Sequence, residues 1–311
     1  MSEVKIATRE SYGKALVELG KINPNVVVFD ADLAGATKTG VFKKEFPDRF
    51  FDCGIAEANM VGIAAGISTT GKIPFISSFA MFVAGRAFEQ VRNSIGYPHM
   101  NVKIGATHAG ISVGEDGATH QCNEDLALMR AIPGMVVINP CDDIEARQAV
   151  LAAAEYVGPV YLRFGRLAVP VINDENYKFE IGKGVTLRQG SDISIIATGL
   201  MVAKALQAAE VLKSEGISAR VINIHTIKPI DKDIILKAAR ETKMLVTCEE
   251  HSVIGGLFSA VCEVTAQEAP CKIVPVAVMD TFGKSGPAQE LLDVFKLSTQ
   301  GILDKIKANY K

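Results

Sequence analysis

The sequence predicts an α/β protein made of two successive units, each with a largely parallel sheet. Apolar runs such as NVVVFDADL and KIPFISSF alternate with segments of helical apolar spacing, a pattern typical of parallel sheets covered on both faces. The pattern is lost in a polar stretch around NDENYKFEIGKG and starts again at DISIIATG. We therefore expect a first unit at residues 1–170, a linker at 171–190 and a second unit at 191–311.

The elements of the first unit can be placed in order. Helical spacing is found in ESYGKALVELGKI, in the run after Glu57, from Phe82 to Ile95 and from Asp142 to Glu155. Strands are predicted at NVVVFDADL, KIPFISSF, MNVKIGATH, GMVVINP and PVYLRFG. Binding residues in parallel sheets gather beyond the carboxyl ends of strands. The polar residues predicted at these ends are Asp30, Asp32, Ser77, Ser78, Thr107, His108 and Arg163.

The second unit repeats the alternation. Strands are predicted at DISIIATG, KMLVTCEE and KIVPVAVMD, with ARVINIHTIKPID between the first two. Helices are predicted from Met201 to Glu215, over a segment ending at Arg240, over HSVIGGLFSAVCEVTAQ and from Ala288 onward.

Composition excludes several classes of protein. The chain has 311 residues, 48% hydrophobic and 22% charged, with a net charge of −2, which is the range of an ordinary globular protein. No basic stripe predicts nucleic-acid binding, and no uncharged apolar run is long enough to span a membrane. The start, MSEVKIATRE, lacks a signal-peptide core, and the six cysteines form no CxxC pair. We expect reduced thiols in a cytoplasmic protein.

The stretch DCGIAEANMVGIAAGISTT (residues 52–70) has an acid, Glu57, at the start of a slim apolar run. Interior glycines such as Gly62 and Gly66 cost a helix about 1 kcal/mol each, so their presence favours close approach of another backbone. A helix that is apolar nearly all round is typical of a core or a subunit interface. Glu57 would lie in the first turn, where a carboxylate is also explained by the helix dipole alone.

The densest group of polar residues is THAGISVGEDGATHQ, from Thr107 to Gln121. Its glycines allow positive φ and close approach of backbone to a ligand, and such loops often carry a binding site. Three interpretations are open at this point: a metal site, a solvated loop, and a substrate site in which imidazoles donate to hydroxyl or phosphate oxygens. The spacing matches no short metal motif, so we favour the substrate site.

A second group is SSFAMFVAGRAFEQVRNSIG. Phe79 and Phe82 have helical spacing, which is found more often in a core than in a cofactor platform. Ser77 and Ser78, which precede them at a strand end, favour the platform.

Together these stretches resemble the carboxyl-terminal half of a transketolase. The resemblance covers nearly the whole chain and includes IATRESYGKAL, CGIAEANM, SSFAMFVAGR, GEDGATHQ and TFGKSGPAQELL. It implies a thiamine pyrimidine-binding domain followed by a transketolase C-terminal domain. The GDG…NN signature of the family's diphosphate-binding domain is not found in this sequence. The resemblance therefore implies the C-terminal subunit of a split transketolase.

The resemblance also implies cofactor residues. Glu57 matches the catalytic glutamate that bonds N1′ of the thiamine aminopyrimidine and favours the imino tautomer, whose nitrogen removes the thiazolium C2 proton. Phe79 and Phe82 would lie against the pyrimidine ring, with Asp32 and Leu33 beside the cofactor. Gly85 stands where the family often has an aromatic residue, so one wall of this pocket differs.

Substrate residues are implied in the same way. Arg9, His108 and Arg163 match residues that hold the sugar phosphate, a task that suits the planar fork of arginine. Asp116 and His120 match residues that bind donor hydroxyls, and His120 is counted with Glu57 as catalytic. Ala36 replaces a serine that assists at the phosphate, for which Thr37 could substitute only if the loop shifts. These substrate positions are Arg9, His108, Asp116, His120 and Arg163.

The implied function is transfer of a two-carbon ketol unit between sugar phosphates, as in the pentose phosphate pathway of carbohydrate metabolism. The cofactor would be thiamine diphosphate, with Mg²⁺ or Ca²⁺ held by an N-terminal partner subunit and no metal held by this chain. An α2β2 heterotetramer or a homodimer core is expected. Three alternatives stay open: a 1-deoxyxylulose-5-phosphate synthase-like enzyme, a 2-oxo acid dehydrogenase β subunit, and a non-catalytic interaction subunit.

Overall fold

The computed structural model describes residues 4–310 of the chain. Its strands are β1 (Lys5–Ala7), β2 (Val26–Asp30), β3 (Phe50–Asp52), β4 (Ile73–Phe79), β5 (Lys103–Thr107), β6 (Val136–Ile138), β7 (Val160–Arg163), β8 (Ala168–Pro170), β9 (Val185–Arg188), β10 (Ile193–Ala197), β11 (Ala219–Asn223), β12 (Thr226–Lys228), β13 (Leu245–Ser252) and β14 (Ile273–Val278).

Helices alternate with these strands through both halves of the chain. They are α1 (Thr8–Ile22), α2 (Ala34–Thr37), α3 (Gly40–Glu45), α4 (Glu57–Ser68), α5 (Phe88–Gln90), α6 (Asp125–Ala131), α7 (Asp143–Glu155), α8 (Met201–Ser214), α9 (Lys232–Glu241), α10 (Leu257–Glu268), α11 (Ala288–Val294) and α12 (Thr299–Asn309).

The first sheet has seven strands in the order β12-β6-β7-β5-β4-β2-β3. Every neighbouring pair from β6 to β3 is parallel, whereas β12 runs antiparallel to β6. All residues of β2, β5 and β7 are buried. Because both faces of these strands are covered, they are apolar without the alternation of a half-exposed sheet.

The second sheet has five strands in the order β14-β13-β10-β11-β9. Its pairs are parallel except that β9 runs antiparallel to β11. The strand β9 lies inside the stretch that the sequence predicted as a linker. The prediction of two α/β units with mostly parallel sheets is confirmed.

The segment ARVINIHTIKPID serves both sheets. Its first part forms β11 of the second sheet, and three residues later β12 pairs with β6 of the first sheet, with Thr226 opposite Ile138. The Lys228 ammonium then donates to the carbonyls of Arg130 and Ile132 at 2.8 and 2.6 Å. One continuous hydrophobic cluster includes residues of both units, so the two units pack as one body.

Helix α4 has two unlike faces. Met60, Val61, Ala64 and Ala65 are buried with Glu57, whereas Asn59, Gly62, Ile63 and Gly66 are exposed. A Cβ atom added at Gly62 or Gly66 would have no neighbour within 4 Å. The sequence predicted either a core or a subunit interface for this helix. One face of α4 packs in the core, and the face with the glycines is uncovered.

Two predicted helices differ in detail. The segment from Phe82 to Ile95 contains two π-helical turns, Met81–Arg86 and Val91–Gly96, on either side of α5. The helix predicted from His251 begins at Leu257, because His251 and Ser252 end β13. Within residues 4–310, no helix combines the length and the apolar character needed to cross a membrane.

Candidate active site at the edge of the first sheet

The loops that follow β2, β4, β5 and β7 meet at one edge of the first sheet. These strands are parallel neighbours in the order β7-β5-β4-β2, so their carboxyl ends lie side by side. The last residues of the four strands are Asp30, Phe79, Thr107 and Arg163. The polar stretches singled out in the sequence thus border one place in the fold.

Glu57 is the first residue of α4, and its side chain is 1% exposed. Ser78 Oγ donates to Oε1 of its carboxylate at 3.4 Å, and Arg86 Nη1 donates to Oε2 at 2.9 Å. A buried carboxylate needs such partners because removing its charge from water is costly. The sequence gives no signal that pairs Arg86 with Glu57, since 29 residues separate them.

Aromatic rings form a continuous group beside Glu57. The rings of Phe79 and Phe82 stack with centroids 5.8 Å apart. The His108 imidazole stacks on Phe79 at 3.9 Å, and His120 meets the Phe82 ring edge-on at 5.3 Å. Phe79 is buried whereas Phe82 and His120 are partly exposed. The group therefore runs from the core to the surface.

The protonation of His108 follows from its neighbours. Arg9 Nη1 lies 3.0 Å from its Nε2, and Thr107 Oγ1 lies 2.9 Å from its Nδ1. A guanidinium only donates, so Nε2 is the acceptor and Nδ1 carries the proton. Burial, with the positive charge of Arg9, lowers the pKa of His108 to about 3. His108 is therefore a neutral imidazole at physiological pH.

Cations surround this imidazole. Besides Arg9, the charges of Arg166 and Lys38 also disfavour its protonation. Arg166 donates to the carbonyl of Val113, forms an ion pair with Glu115 at 3.0 Å and lies 4.0 Å from Asp116 Oδ2. Its side chain is 37% exposed. This arrangement can bind an anion, and Arg166 is the member that was not among the predicted substrate residues.

Arg163 requires a correction. Its side chain is 4% exposed, and Nε donates to Asp125 Oδ2 at 2.8 Å. Nη2 donates to the carbonyls of Glu250 at 2.9 Å and Cys122 at 3.4 Å. A phosphate that took the place of these partners would break buried bonds, which is strongly unfavourable. The RFGR spacing contained the signal, since its second arginine lies beyond the strand end.

Asp30 shapes the loop that carries Asp32 and Leu33. Its carboxylate accepts hydrogen bonds from Leu33 N at 2.6 Å, Thr37 Oγ1 at 2.7 Å and Thr39 Oγ1 at 2.8 Å. Burial raises the pKa of Asp30 to about 6. Asp32 has φ of 61° and donates its N–H to Asp52 Oδ1. The loop is thus held by side chains from within the sheet.

Two departures from the family pattern have structural counterparts. Thr37 is buried and donates to Asp30, so it cannot supply the hydroxyl that Ala36 lacks. Instead, the carbonyl of Ala36 accepts from Arg9 at 2.9 Å. At Gly85, an added Cβ would collide with Cε of Met81, so Met81 fills the place of a side chain there.

Models of two protein families match the chain. The transketolase pyrimidine-binding domain matches residues 4–171, and the transketolase C-terminal domain matches residues 182–302. The chain belongs to the transketolase family. Together the two matches cover the sheets described above, including the loops that form the candidate active site.

Known proteins of the transketolase family match closely. A putative transketolase C-terminal section of Methanocaldococcus jannaschii is 52% identical over 100% of this chain and 98% of that protein. A 6-deoxy-6-sulfo-D-fructose transketolase subunit of Clostridium sp. is 42% identical over 95% of this chain and 92% of that subunit. Human transketolase is 37% identical over 97% of this chain, which spans 49% of its length.

A solved structure described as a split-gene transketolase in an inactive β4 tetramer is similar throughout. It is 54% identical with a TM-score of 0.91, over 97% of this chain and 98% of that one. The fold and the sequence identity agree that this chain corresponds to the C-terminal section of the transketolase family.

The transketolase family implies thiamine diphosphate, and the residues present fit its aminopyrimidine. A buried carboxylate, Glu57, can meet a ring nitrogen, and the partly exposed ring of Phe82 offers a face for stacking. Within residues 4–310, no group of three or more His, Cys, Asp or Glu side chains is placed to hold a metal ion.

Proposed function

We propose that this chain is the pyrimidine-binding subunit of a two-subunit, thiamine diphosphate-dependent transketolase. It would transfer a two-carbon ketol unit from a ketose phosphate to an aldose phosphate, as in the pentose phosphate pathway. The observation that carries the proposal is the meeting of two features at one sheet edge. Buried Glu57 lies beside the Phe79–Phe82 stack, and the cations Arg9 and Arg166 lie around His108, which stacks on the same Phe79.

The cofactor half of this arrangement controls a proton. When bound, thiamine diphosphate supplies the electron sink for breaking and forming the bond beside the donor carbonyl. Glu57 holds the proton at N1′ of the aminopyrimidine, and its burial keeps water from competing for that hydrogen bond. Phe79 and Phe82 orient the ring, while the loop fixed by Asp30 presents Asp32 and Leu33 beside it.

The substrate half binds the anionic end of the sugar. Arg9 and Arg166 provide planar forks for phosphate oxygens, and Lys38 adds a third positive charge. Asp116 and His120 lie on the same loop and form hydrogen bonds with hydroxyl groups of the ketose that donates the two-carbon unit. His120, which contacts Phe82, is positioned between the ring platform and solvent and is the second residue to which we assign a catalytic role.

The exposed face of α4 supports the proposal that this chain has a partner subunit. Ile55, just before the helix, is 77% exposed, Ile63 within the helix is 39% exposed, and Gly62 and Gly66 are exposed as well. Small residues let a second backbone approach closely, as at helix contacts. We assign this face to the N-terminal subunit that carries the diphosphate-binding domain and holds Mg²⁺ or Ca²⁺. An α2β2 assembly follows if two such pairs associate, and the inactive β4 relative agrees with a need for that subunit.

A sulfonate sugar is a second candidate substrate. The relative from Clostridium sp. is named for 6-deoxy-6-sulfo-D-fructose, and sulfonate presents oxygens to arginine much as phosphate does. The cations around His108 would suit either anion. Comparing kcat/KM for a ketose phosphate and for the sulfonate sugar separates the two.

The experiment that tests the proposal is reconstitution. We expect the purified chain alone to show no ketol transfer and to bind thiamine diphosphate poorly, and we expect both properties to appear when the N-terminal subunit is added. A coupled assay with ketose and aldose phosphates measures the transfer. Robust turnover by the chain alone would contradict the two-subunit proposal, and no turnover in the full complex would contradict the reaction.

A further inference from the structure

The Arg86 side chain connects the catalytic carboxylate to the aromatic platform. Its Nη1 donates to Glu57 Oε2 at 2.9 Å, and its guanidinium carbon lies 4.6 Å from the centroid of the Phe82 ring. A planar cation within about 6 Å of a ring face is attracted by the ring quadrupole. The guanidinium therefore stacks on one residue assigned to the cofactor ring while it bonds to the other.

The backbone places Arg86 there. Arg86 ends the π-helical turn Met81–Arg86, and Gly85 before it has no side chain, so Met81 packs into that space. The Arg86 side chain is 52% exposed, whereas its partner Glu57 is 1% exposed. The arginine can thus leave toward solvent without crossing packed residues, but the carboxylate cannot.

A flat, positively charged group that stacks on Phe82 and donates to Glu57 has the recognition chemistry expected of a protonated aminopyrimidine. We propose that Arg86 is a substitute ligand that neutralises Glu57 in the cofactor-free subunit and swings into solvent when thiamine diphosphate binds. This inference rests on the proposed function, because it takes Glu57 and Phe82 as the cofactor residues.

The replacement of Arg86 by the cofactor at Glu57 has a physical reason in both the cofactor-free and the cofactor-bound state. Without the cofactor, a buried carboxylate with no cation would destabilise the fold or take up a proton. With the cofactor, the ring nitrogen needs the carboxylate oxygen that Arg86 now holds. Arg86 therefore stabilises the cofactor-free subunit and competes with the cofactor for the same Glu57 oxygen.

The test is equilibrium binding of thiamine diphosphate to the reconstituted complex, measured by calorimetry. Arg86→Met keeps the aliphatic stem and removes the charge. We expect the dissociation constant for thiamine diphosphate to be about tenfold lower in the variant complex, because the wild-type chain must first give up one charge-assisted hydrogen bond. The dissociation constant of Arg86→Lys should lie between those of the wild type and Arg86→Met, since lysine keeps the charge without the planar fork.

Arg92→Met is the matched control, because Arg92 is an exposed arginine in the second π-helical turn of the same segment. It should leave the dissociation constant unchanged. An unchanged or weaker affinity in Arg86→Met would overturn the inference and would indicate that Arg86 stays and helps to hold the cofactor. Failure of the wild-type complex to bind thiamine diphosphate would instead contradict the proposed function.

A second measurement uses the isolated full chain. Arg86→Met should lower its thermal midpoint, and adding Glu57→Gln in the same chain should restore it, because the amide carries no charge to be neutralised. A double variant no more stable than Arg86→Met would show that the pair with Glu57 is not what Arg86 contributes, and would overturn the inference.

Discussion

Two arginine–carboxylate pairs in this chain have almost the same separation and opposite surroundings. Arg163 and Asp125 are joined at 2.8 Å with side chains 4% and 0% exposed. Arg86 and Glu57 are joined at 2.9 Å, but Arg86 is 52% exposed. The distance between the charged groups therefore does not distinguish a structural pair from a functional one. What separates them is whether a ligand can reach one partner.

The Arg163–Asp125 pair is closed by a network that joins the two units. Tyr161 Oη donates to the same Asp125 oxygen at 2.8 Å, and Arg163 binds the carbonyl of Glu250 from β13. The Glu250 carboxylate in turn accepts from the N–H of Ser112, in the loop between His108 and Asp116. This network ties the loop to β13 and commits Nε and Nη2 of the arginine to buried partners.

The largest change in stability is expected from breaking the closed pair. Asp125→Ala leaves the Arg163 charge buried without its partner, and such changes lower the free energy of unfolding by about 3–5 kcal/mol. Urea unfolding of the isolated chain measures this. Glu18→Ala, which breaks the exposed pair of Glu18 with Arg147, is the control and should lose about 1 kcal/mol or less. Equal losses of unfolding free energy in the two variants would show that burial does not make the Arg163–Asp125 pair more important to the fold than the exposed pair.

The partly exposed Arg166 should affect substrate binding rather than stability. Arg166→Ala in the reconstituted complex should raise KM for phosphorylated donors by about 10- to 100-fold, the size of one charge-assisted hydrogen bond, with little change in kcat. Arg9→Ala and His108→Ala should act in the same direction. The unfolding free energy of Arg166→Ala should stay close to that of the parent chain. An unchanged KM in all three variants would place the sugar's anion elsewhere.

The closed network should also make stability depend on pH. Burial raises the pKa of Glu250 from 4.5 to about 7, although Arg163 opposes the shift. The folded chain therefore binds this proton more tightly than the unfolded chain. The contribution of Glu250 to stability is thus greatest below pH 4.5 and is lost as pH rises towards 7.

Glu250→Gln keeps the acceptor for Ser112 and removes the titration. Over that pH window, the free energy of unfolding should fall by about 1–3 kcal/mol more in the parent chain than in the variant. Identical pH profiles would show that the Glu250 carboxyl does not titrate there.

The smallest effect on the fold is expected at the uncovered face of α4. Gly62→Ala should stabilise the isolated chain by about 0.5–1 kcal/mol, because alanine favours the helix and its Cβ would meet no atom. The same change should weaken association with the N-terminal subunit, measured by titration of one subunit with the other. Gly105→Ala is the contrast, since its Cβ would collide with Tyr12. Unaltered association would show that this face of α4 does not contact the N-terminal subunit.

Much of the fold was predictable because buried parallel strands are continuous apolar runs. The sheet edge with Asp30, Ser78 and Thr107 followed from strand ends alone, and Glu57 begins α4 as the first-turn acid predicted. Phe79 was expected to open a helix with Phe82 but ends β4 instead. The exchange of β12 into the first sheet was not predictable, because a strand of three residues, TIK, carries too little pattern to choose a partner.

The site was less predictable than the fold, for two physical reasons. Arg163 and Arg166 are the same residue type three positions apart, and only burial distinguishes the ion pair inside the strand from the exposed cation after it. Arg86 meets Glu57 through tertiary packing across 29 residues, and the π-helical turn that aims it has no simple sequence period.

The most direct test of the central claim is proton–deuteron exchange at C2 of thiamine in the reconstituted complex. Glu57→Gln keeps the volume and a hydrogen-bonding group but cannot hold the proton. Positioned proton transfer contributes about 10²- to 10⁴-fold, so we predict that exchange and ketol transfer slow on that scale while the complex stays folded and loaded with cofactor. Exchange as fast as in the parent complex would contradict the role of Glu57 and leave it as a first-turn acid held by Arg86.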